Sequence, residues 1–310
     1  MISVALCTYN GERYIREQIE SILNQTLPVD EIVVCDDGST DNTLSFIENF
    51  QGNTDIRIYR NETNLGVCAN FQKAVDLCRG EYIFFSDQDD IWHTDKTATI
   101  IDYFLSNPEK KVVFTDANLI NEQNDPICDT TLWNCFGITE KKLRLIDKGF
   151  GVELFAYENR ATGATMALHR DFQYTHSFIK YCVNDILHDG ALAMLAVSAN
   201  QLGYINKCLI DYRIHGNQEC GIGMYLKKPL DNSIKDVRFT NWSLLQLPSY
   251  LGERISFIMQ RQRQQHQPLG PFRMFCSTGI YCKLYRHQWL AFLFFDIKQW
   301  ACIMWRRIFK

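Results

Sequence analysis

No stretch of this 310-residue chain stays apolar for the ~18 residues that a membrane-spanning helix needs. One of the longest such runs, Trp289 to Phe295, is stopped by Asp296. No basic segment and cleavage signal precede the strand-like Ile2-Ser3-Val4-Ala5-Leu6-Cys7, which predicts a protein that is not secreted. The 12 cysteines contain no C-x-x-C pair, and this excludes zinc ribbons and thioredoxin-type sites. Cys7 and Cys35 lie inside apolar runs and read as small buried hydrophobes of a reducing, cytoplasmic setting. Excess positive charge is missing too: the net charge is −4, and nucleic acid is not an expected partner. The chain has no internal repeat and no low-complexity tract. What it has is 46% hydrophobic, 13% aromatic and 22% charged residues, a composition that excludes a mostly disordered chain.

Short apolar runs alternate with helical patterns through the first third. Ile2 to Cys7, Ile32 to Cys35, Ile56 to Tyr59 and Tyr82 to Phe85 are predicted strands. Between the first two, Tyr14, Ile15, Ile19, Ile22 and Leu23 recur on one helical face. Such units predict an α/β fold with a mostly parallel, doubly wound sheet. Val112 to Phe114, Ala161 to Leu168 and Ile205 to Arg213 read as further strands, Asn118 to Asp129 as a loop or hairpin, and Asp189 opens a helical run. Ligands of such sheets bind outside the carboxyl ends of the strands. The loops there are the polar ones: Thr8-Tyr9-Asn10-Gly11, Asp36-Asp37-Gly38-Ser39 and Asp87-Gln88-Asp89-Asp90.

Three carboxylates within Asp87 to Asp90 repel one another unless a cation lies between them. A hard divalent ion, Mn²⁺ or Mg²⁺, removes that repulsion and can hold phosphate oxygens; the alternative is a capped helix N-terminus. Asp36 can accept a hydrogen bond from a nucleobase N–H, or can simply make a capping turn with Ser39. His215 is a metal donor or a structural histidine, and Asp189 is a catalytic carboxylate or an N-cap. Together they suggest a metal–diphosphate site.

These motifs, with Asn64-Leu65-Gly66, Ser86-Asp87-Gln88-Asp89-Asp90-Ile91-Trp92, Thr162-Gly163, His188-Asp189 and Tyr212-Arg213-Ile214-His215-Gly216-Asn217, resemble the family 2 glycosyltransferases and their GT-A nucleotide-diphospho-sugar transferase fold. The Ser-Asp-Gln-Asp-Asp-Ile-Trp form is similar to bacterial rhamnosyltransferase-like enzymes of O-antigen, capsule and cell-wall synthesis. The resemblance implies that Thr8, Tyr9 and Asn10 line the nucleotide pocket and that Asp36 reads a uracil or thymine N3–H. It implies that Asn70 adds a donor contact, although the Arg-Asn pair common in the family is Ala69-Asn70 here. It makes Asp87, Asp89 and His215 the metal ligands, Asp87 also a ribose contact, Asp189 the base, and Gly163 the point where backbone approaches donor sugar or acceptor. The implied donor is dTDP-rhamnose or a UDP-sugar, and the implied acceptor a glycan or a polyprenyl-diphosphate-linked sugar. A nucleotidyltransferase that makes the activated sugar is a competing reading, but it calls for a Gly-rich basic loop after the first strand. A non-catalytic nucleotide-sugar-binding protein is another.

Residues 1–220 are the expected glycosyltransferase domain and 221–271 a helical extension, with 272–310 a basic aromatic tail. From Phe272 onward Arg273, Lys283, Arg286, Lys298, Arg306, Arg307 and Lys310 face Asp296 alone, a net of +6. The same segment holds Trp289, Trp300 and Trp305. An amphipathic helix of that kind suits an anionic bilayer surface, here the inner face of the cell membrane; packing on the main domain or a dimer contact is the alternative.

Overall fold

The computed structural model describes residues 1–216 and 218, except 51–53, 149–150, 152–154, 156–159 and 183–185. The expected extension and tail, 221–310, lie outside the described residues.

The first half alternates as its apolar runs require: β1 (Ile2–Thr8), α1 (Ile15–Leu23), β2 (Glu31–Asp36), α2 (Thr43–Glu48), β3 (Asp55–Arg60), α3 (Val67–Leu77) and β4 (Tyr82–Ser86). A two-residue β5 (Ile91–Trp92), α4 (Lys96–Ser106) and the long β6 (Val112–Ile120) follow. Next come α5 (Leu132–Cys135), α6 (Glu140–Asp147), β7 (Met166–His169), α7 (His188–Ser198) and β8 (Leu202–Arg213). They form one eight-stranded sheet in the order β3-β2-β1-β4-β7-β6-β8-β5.

The sheet is parallel from β3 through β4 and again between β6 and β8, as expected. It departs from that expectation at β7, which is antiparallel to both neighbours, and at β5, antiparallel to β8. Ala161 to Leu168 is correspondingly not one strand. A single 3-10 turn, Gly163–Thr165, precedes the short β7. β6 extends well past Phe114 to Ile120, which then bridges to Pro126 as the return of a hairpin.

The core is built from the inward runs of β1, β2 and β4 with one face of α1; Val4, Leu6, Ile15, Ile19, Ile32, Val34 and Phe84 are all buried. Each such side chain contributes about 1.5–3 kcal/mol of apolar burial. α7 differs from α1, since it is apolar around its whole circumference and is buried from Gly190 to Val197. A helix with no polar stripe has no face to offer water and is driven inside. Its first turn therefore carries His188 and Asp189 into the protein.

Register sets the geometry of the site. Thr8 pairs with Asp36 and Leu6 with Ser86, so the loops after β1, β2 and β4 leave the sheet side by side. β8, parallel to β6, brings Arg213 and then His215 to the same edge.

Candidate active site

The loops after β1 and β2 are laced together by side chains. Asn10, in the left-handed region at φ 49°, accepts from the Thr40 backbone N–H at 2.8 Å, and its own N–H donates to Ser39 Oγ at 2.8 Å. Asn tolerates that backbone region better than most residues. Tyr9 is exposed, while its N–H and carbonyl are both held by the Gln88 amide, at 2.8 and 3.0 Å. Thr8, Tyr9 and Asn10 thus form a rigid rim joining the β2 and β4 loops.

Asp36 lies elsewhere in this arrangement than expected. Its carboxylate is fully buried: Oδ1 accepts from the backbone N–H groups of Gly38 (3.2 Å) and Ser39 (2.9 Å), and Oδ2 from Thr8 Oγ1 (3.0 Å) and the Ser39 hydroxyl. Gly38, at φ +92°, permits the turn that aims those N–H groups back. A carboxylate offers about four acceptor sites, and all are occupied by the turn. Reading a base N3–H does not fit these surroundings, and of the two readings of this motif the capping turn describes Asp36. Asn70 has structural partners as well. Buried in α3, it donates from Nδ2 to the Cys35 carbonyl (2.8 Å) and accepts from Asn61 Nδ2 (2.9 Å), which fastens the end of β2.

The acidic loop after β4 meets the end of β8. Asp89 Oδ2 lies 2.8 Å from His215 Nε2. Asp87 sits at a sheltered strand end; desolvation, then the charge of Asp89, pushes its carboxyl up to about 7. The field of Asp189 adds to this, so the three carboxyl groups are electrostatically joined. Asp90 is buried, and burial followed by the Asp89 charge pushes its carboxyl well above the usual range.

A buried cation, Arg213, holds this loop, and a second, Lys96, is buried within its field; the motifs assigned a role to neither. The Arg213 guanidinium donates to the carbonyls of Asp89 (2.7 Å) and Asn121 (3.2 Å), to Asn124 Oδ1 and to Glu17 Oε2 (2.8 Å), and lies 4.5 Å from the centre of the Tyr14 ring. Its backbone N–H donates to Asp90 Oδ1 at 3.0 Å. Lys96 is also fully buried, donates to the Ala164 carbonyl (2.7 Å) and stands 3.7 Å over the Trp92 ring. Desolvation pulls its ammonium down to about 7, against the pull of Asp90 and Asp87. The available signal for Arg213 was a charged residue at the end of a predicted strand, two positions before His215.

Asp189, half-buried in the first turn of α7, accepts from the backbone N–H groups of Gly190 (2.6 Å) and Gly163 (3.3 Å). A Cβ on Gly163 would lie 2.4 Å from His188 Nε2. The close approach expected at Gly163 is therefore made by the His188 ring, which itself stacks on Phe71 at 4.1 Å. Gly163 serves to seat α7.

Among the described residues, no three His, Cys, Asp or Glu side chains are arranged as a ready-made metal cage. Mg²⁺ and Mn²⁺ do not need one, because they are commonly held by one or two carboxylates together with substrate phosphates and water. The repulsion between Asp87 and Asp89, with the His215 imidazole 2.8 Å from Asp89, fits such an ion.

Residues 3–157 match the glycosyl transferase family 2 model. The match includes the loops after β1, β2 and β4 and ends before Gly163, Asp189 and His215. The chain is 33% identical over 238 residues to the dTDP-rhamnosyl transferase RfbG of Shigella flexneri, covering 72% of this chain and 75% of that one. It is 27% identical over 222 residues to a chondroitin synthase of Escherichia coli, covering 70% of this chain and 29% of the longer synthase. A crystal structure of residues 1–349 of S. aureus TarS superposes with a TM-score of 0.51 at 20% identity, covering 84% of this chain and 81% of that one. No helix among the described residues is long and apolar enough to cross a membrane. The nucleotidyltransferase and non-catalytic alternatives fall away with these matches: the chain belongs to glycosyl transferase family 2 and is a glycosyltransferase of the GT-A fold.

Proposed function

We propose that this glycosyltransferase moves a sugar, with inversion at the anomeric carbon, from a nucleotide-diphospho-sugar to a hydroxyl of a glycan or polyprenyl-diphosphate-linked acceptor, in the synthesis of a bacterial cell-surface polysaccharide. The observation that carries this reading is the meeting of the β4 and β8 ends: Asp89 lies 2.8 Å from His215, beside the raised carboxyl of Asp87 and within the field of Asp189. Asp87, Asp89 and His215 would hold Mn²⁺ or Mg²⁺, which when bound offsets the negative charge developing on the departing diphosphate. The Thr8–Asn10 rim, fixed by Gln88 and Ser39, is the surface against which the nucleotide would lie. Asp189, aimed by two backbone N–H groups, would take the proton of the acceptor hydroxyl as that oxygen attacks the face opposite the leaving group. dTDP-rhamnose is the first donor to try because of the similarity to the Shigella enzyme, with UDP-sugars second.

The test is release of free nucleoside diphosphate from a panel of dTDP- and UDP-sugars with candidate acceptors. Release that depends on both donor and acceptor is expected; a protein that binds donors and never turns one over overturns the reading. Dialysis against a chelator is expected to abolish transfer, and Mn²⁺ or Mg²⁺ to restore it. Undiminished transfer after complete ion removal would count against the Asp87, Asp89 and His215 ligand set.

The basic tail would bring the enzyme to lipid-linked acceptors at the inner membrane face. At ~1 kcal/mol per surface cation, the double substitution Arg306→Gln and Arg307→Gln in the full chain is expected to weaken sedimentation with anionic vesicles by about 30-fold. Unchanged sedimentation would leave the tail without that role.

A further inference from the structure

Lys96, the first residue of α4, is buried where lysine is doubly unfavourable. Its side chain is wholly out of water, which penalises an ammonium, and a cation in the first turn of a helix meets the positive end of the macrodipole. An apolar side chain of the same length would avoid both costs. What an apolar side chain cannot do is donate. Lys96 Nζ donates to the Ala164 carbonyl at 2.7 Å, and the same nitrogen stands 3.7 Å from the centre of the Trp92 ring.

The carbonyl it holds belongs to the buried turn Gly163–Thr165, and that turn touches Asp189. The Gly163 N–H donates to Asp189 Oδ2 at 3.3 Å, and the His188 ring fills the space that a side chain on Gly163 would need. The Thr165 N–H and hydroxyl both donate to the Thr162 carbonyl, at 2.9 and 2.7 Å. Those bonds close the turn on itself and do not fix its place in the fold. Lys96 ties it from outside. β5, which carries Trp92, directly follows Asp90, so one line of contacts runs from the end of the acidic loop through Trp92, Lys96, Ala164 and Gly163 to Asp189.

We propose that Lys96 is a positioning residue for sugar transfer: it holds the Gly163–Thr165 turn by the Ala164 carbonyl, so that the Gly163 N–H stays aimed at the Asp189 carboxylate. The proposal rests on the reading of Asp189 as the base. Lys96 acts through the turn and makes no contact of its own with the reacting atoms. Without the tether the turn can shift, and it carries with it both the N–H and the surface on which His188 packs. Misplacing a reacting group by ~1 Å can cost about 100-fold in rate, and loosening a neighbour that aims it is expected to cost ~10-fold. The loss belongs in kcat, because a base acts in the transition state and contributes no donor contact.

The experiment uses the full chain with Lys96→Met and, as a second variant without a donor, Lys96→Leu. Each removes an ammonium from the interior and leaves one carbonyl without its partner, two effects of opposite sign, so thermal unfolding is expected near the wild-type temperature. Steady-state transfer is expected to lose ~10-fold in kcat, with KM for the nucleotide-sugar within about two-fold of wild type. Lys96→Met is then combined with Asp189→Asn. On the residual transfer of that variant its further effect is expected to stay below about two-fold, because a residue that acts through the carboxylate has nothing left to position. A ~10-fold loss that persists undiminished in Asp189→Asn overturns the proposal. Full kcat in both Lys96 variants, a loss confined to KM, or failure of both to fold does the same. An error in the base assignment shows separately, as wild-type turnover in Asp189→Asn with Lys96 intact.

Discussion

Asp189→Asn folds like the wild type and loses sugar transfer by ~10² or more, the scale of a missing general base. The amide has nearly the shape of the carboxyl, and its single oxygen can keep the 2.6 Å bond from the Gly190 N–H. What it gives up is the weaker 3.3 Å acceptance from Gly163, a loss of about 0.5–1.5 kcal/mol. Stability therefore changes little while the one group that can take a proton at that position is gone. The loss should appear in kcat, with the KM for donor near its original value, because the base acts on the acceptor hydroxyl in the transition state and contributes no donor contact. Purified variant assayed beside wild type, with thermal unfolding on the same samples, checks both halves. Turnover within a few-fold of wild type would falsify the assignment of Asp189.

Arg213→Met is expected to destabilise the protein by ~3–5 kcal/mol, measured by urea unfolding. The guanidinium is almost fully buried, at 1% side-chain exposure, and it satisfies the Asp89 and Asn121 carbonyls, Asn124 and Glu17 at once. Methionine fills much of the volume beneath Tyr14 but supplies no donor, so the Asp89 carbonyl loses its Arg213 partner at about 1–3 kcal/mol, while the Asn121 carbonyl keeps the Asn124 N–H at 3.2 Å. Glu17, at 45% exposure, can turn to water and softens the loss. Arg213→Lys keeps the charge but not the fork, and is expected to recover only part of the deficit. Because Arg213 grips the backbone of Asp89 and directly precedes Ile214-His215, both variants should also weaken the apparent Mn²⁺ affinity in activity titrations. A loss below about 1 kcal/mol in Arg213→Met would mean that the clamp is not what holds the acidic loop.

The features that could be read before any coordinates were those written locally. Apolar runs announced β1, β2 and β4, because a strand covered on both faces leaves little room for polar positions, while β3, the edge strand, is partly exposed and carries Arg57. Polar loops at their ends marked the side of the sheet where chemistry belongs. β7 escaped this reading: four residues carry too short a pattern to reveal direction, and Ala161 to Leu168 looked like one element although a 3-10 turn occupies its start. Asp36 shows the other kind of limit. Its residue type is equally suited to gripping a nucleotide and to satisfying backbone groups under a turn, and only the count of donors around it separates the two uses.

By itself the amino-acid sequence determined the α/β class, the family and the acidic, strand-terminal character of the site, since alternation of burial and loop chemistry are properties of neighbouring residues. The tertiary structure decided which of those residues face one another. It placed Asp89 against His215, fastened Arg213 to the backbone of the acidic loop, buried Lys96 against Trp92 and the Ala164 carbonyl, and set His188 against Gly163. Such pairings depend on strand order and register, which arise from packing the whole sheet at once, and no local stretch of chain encodes them.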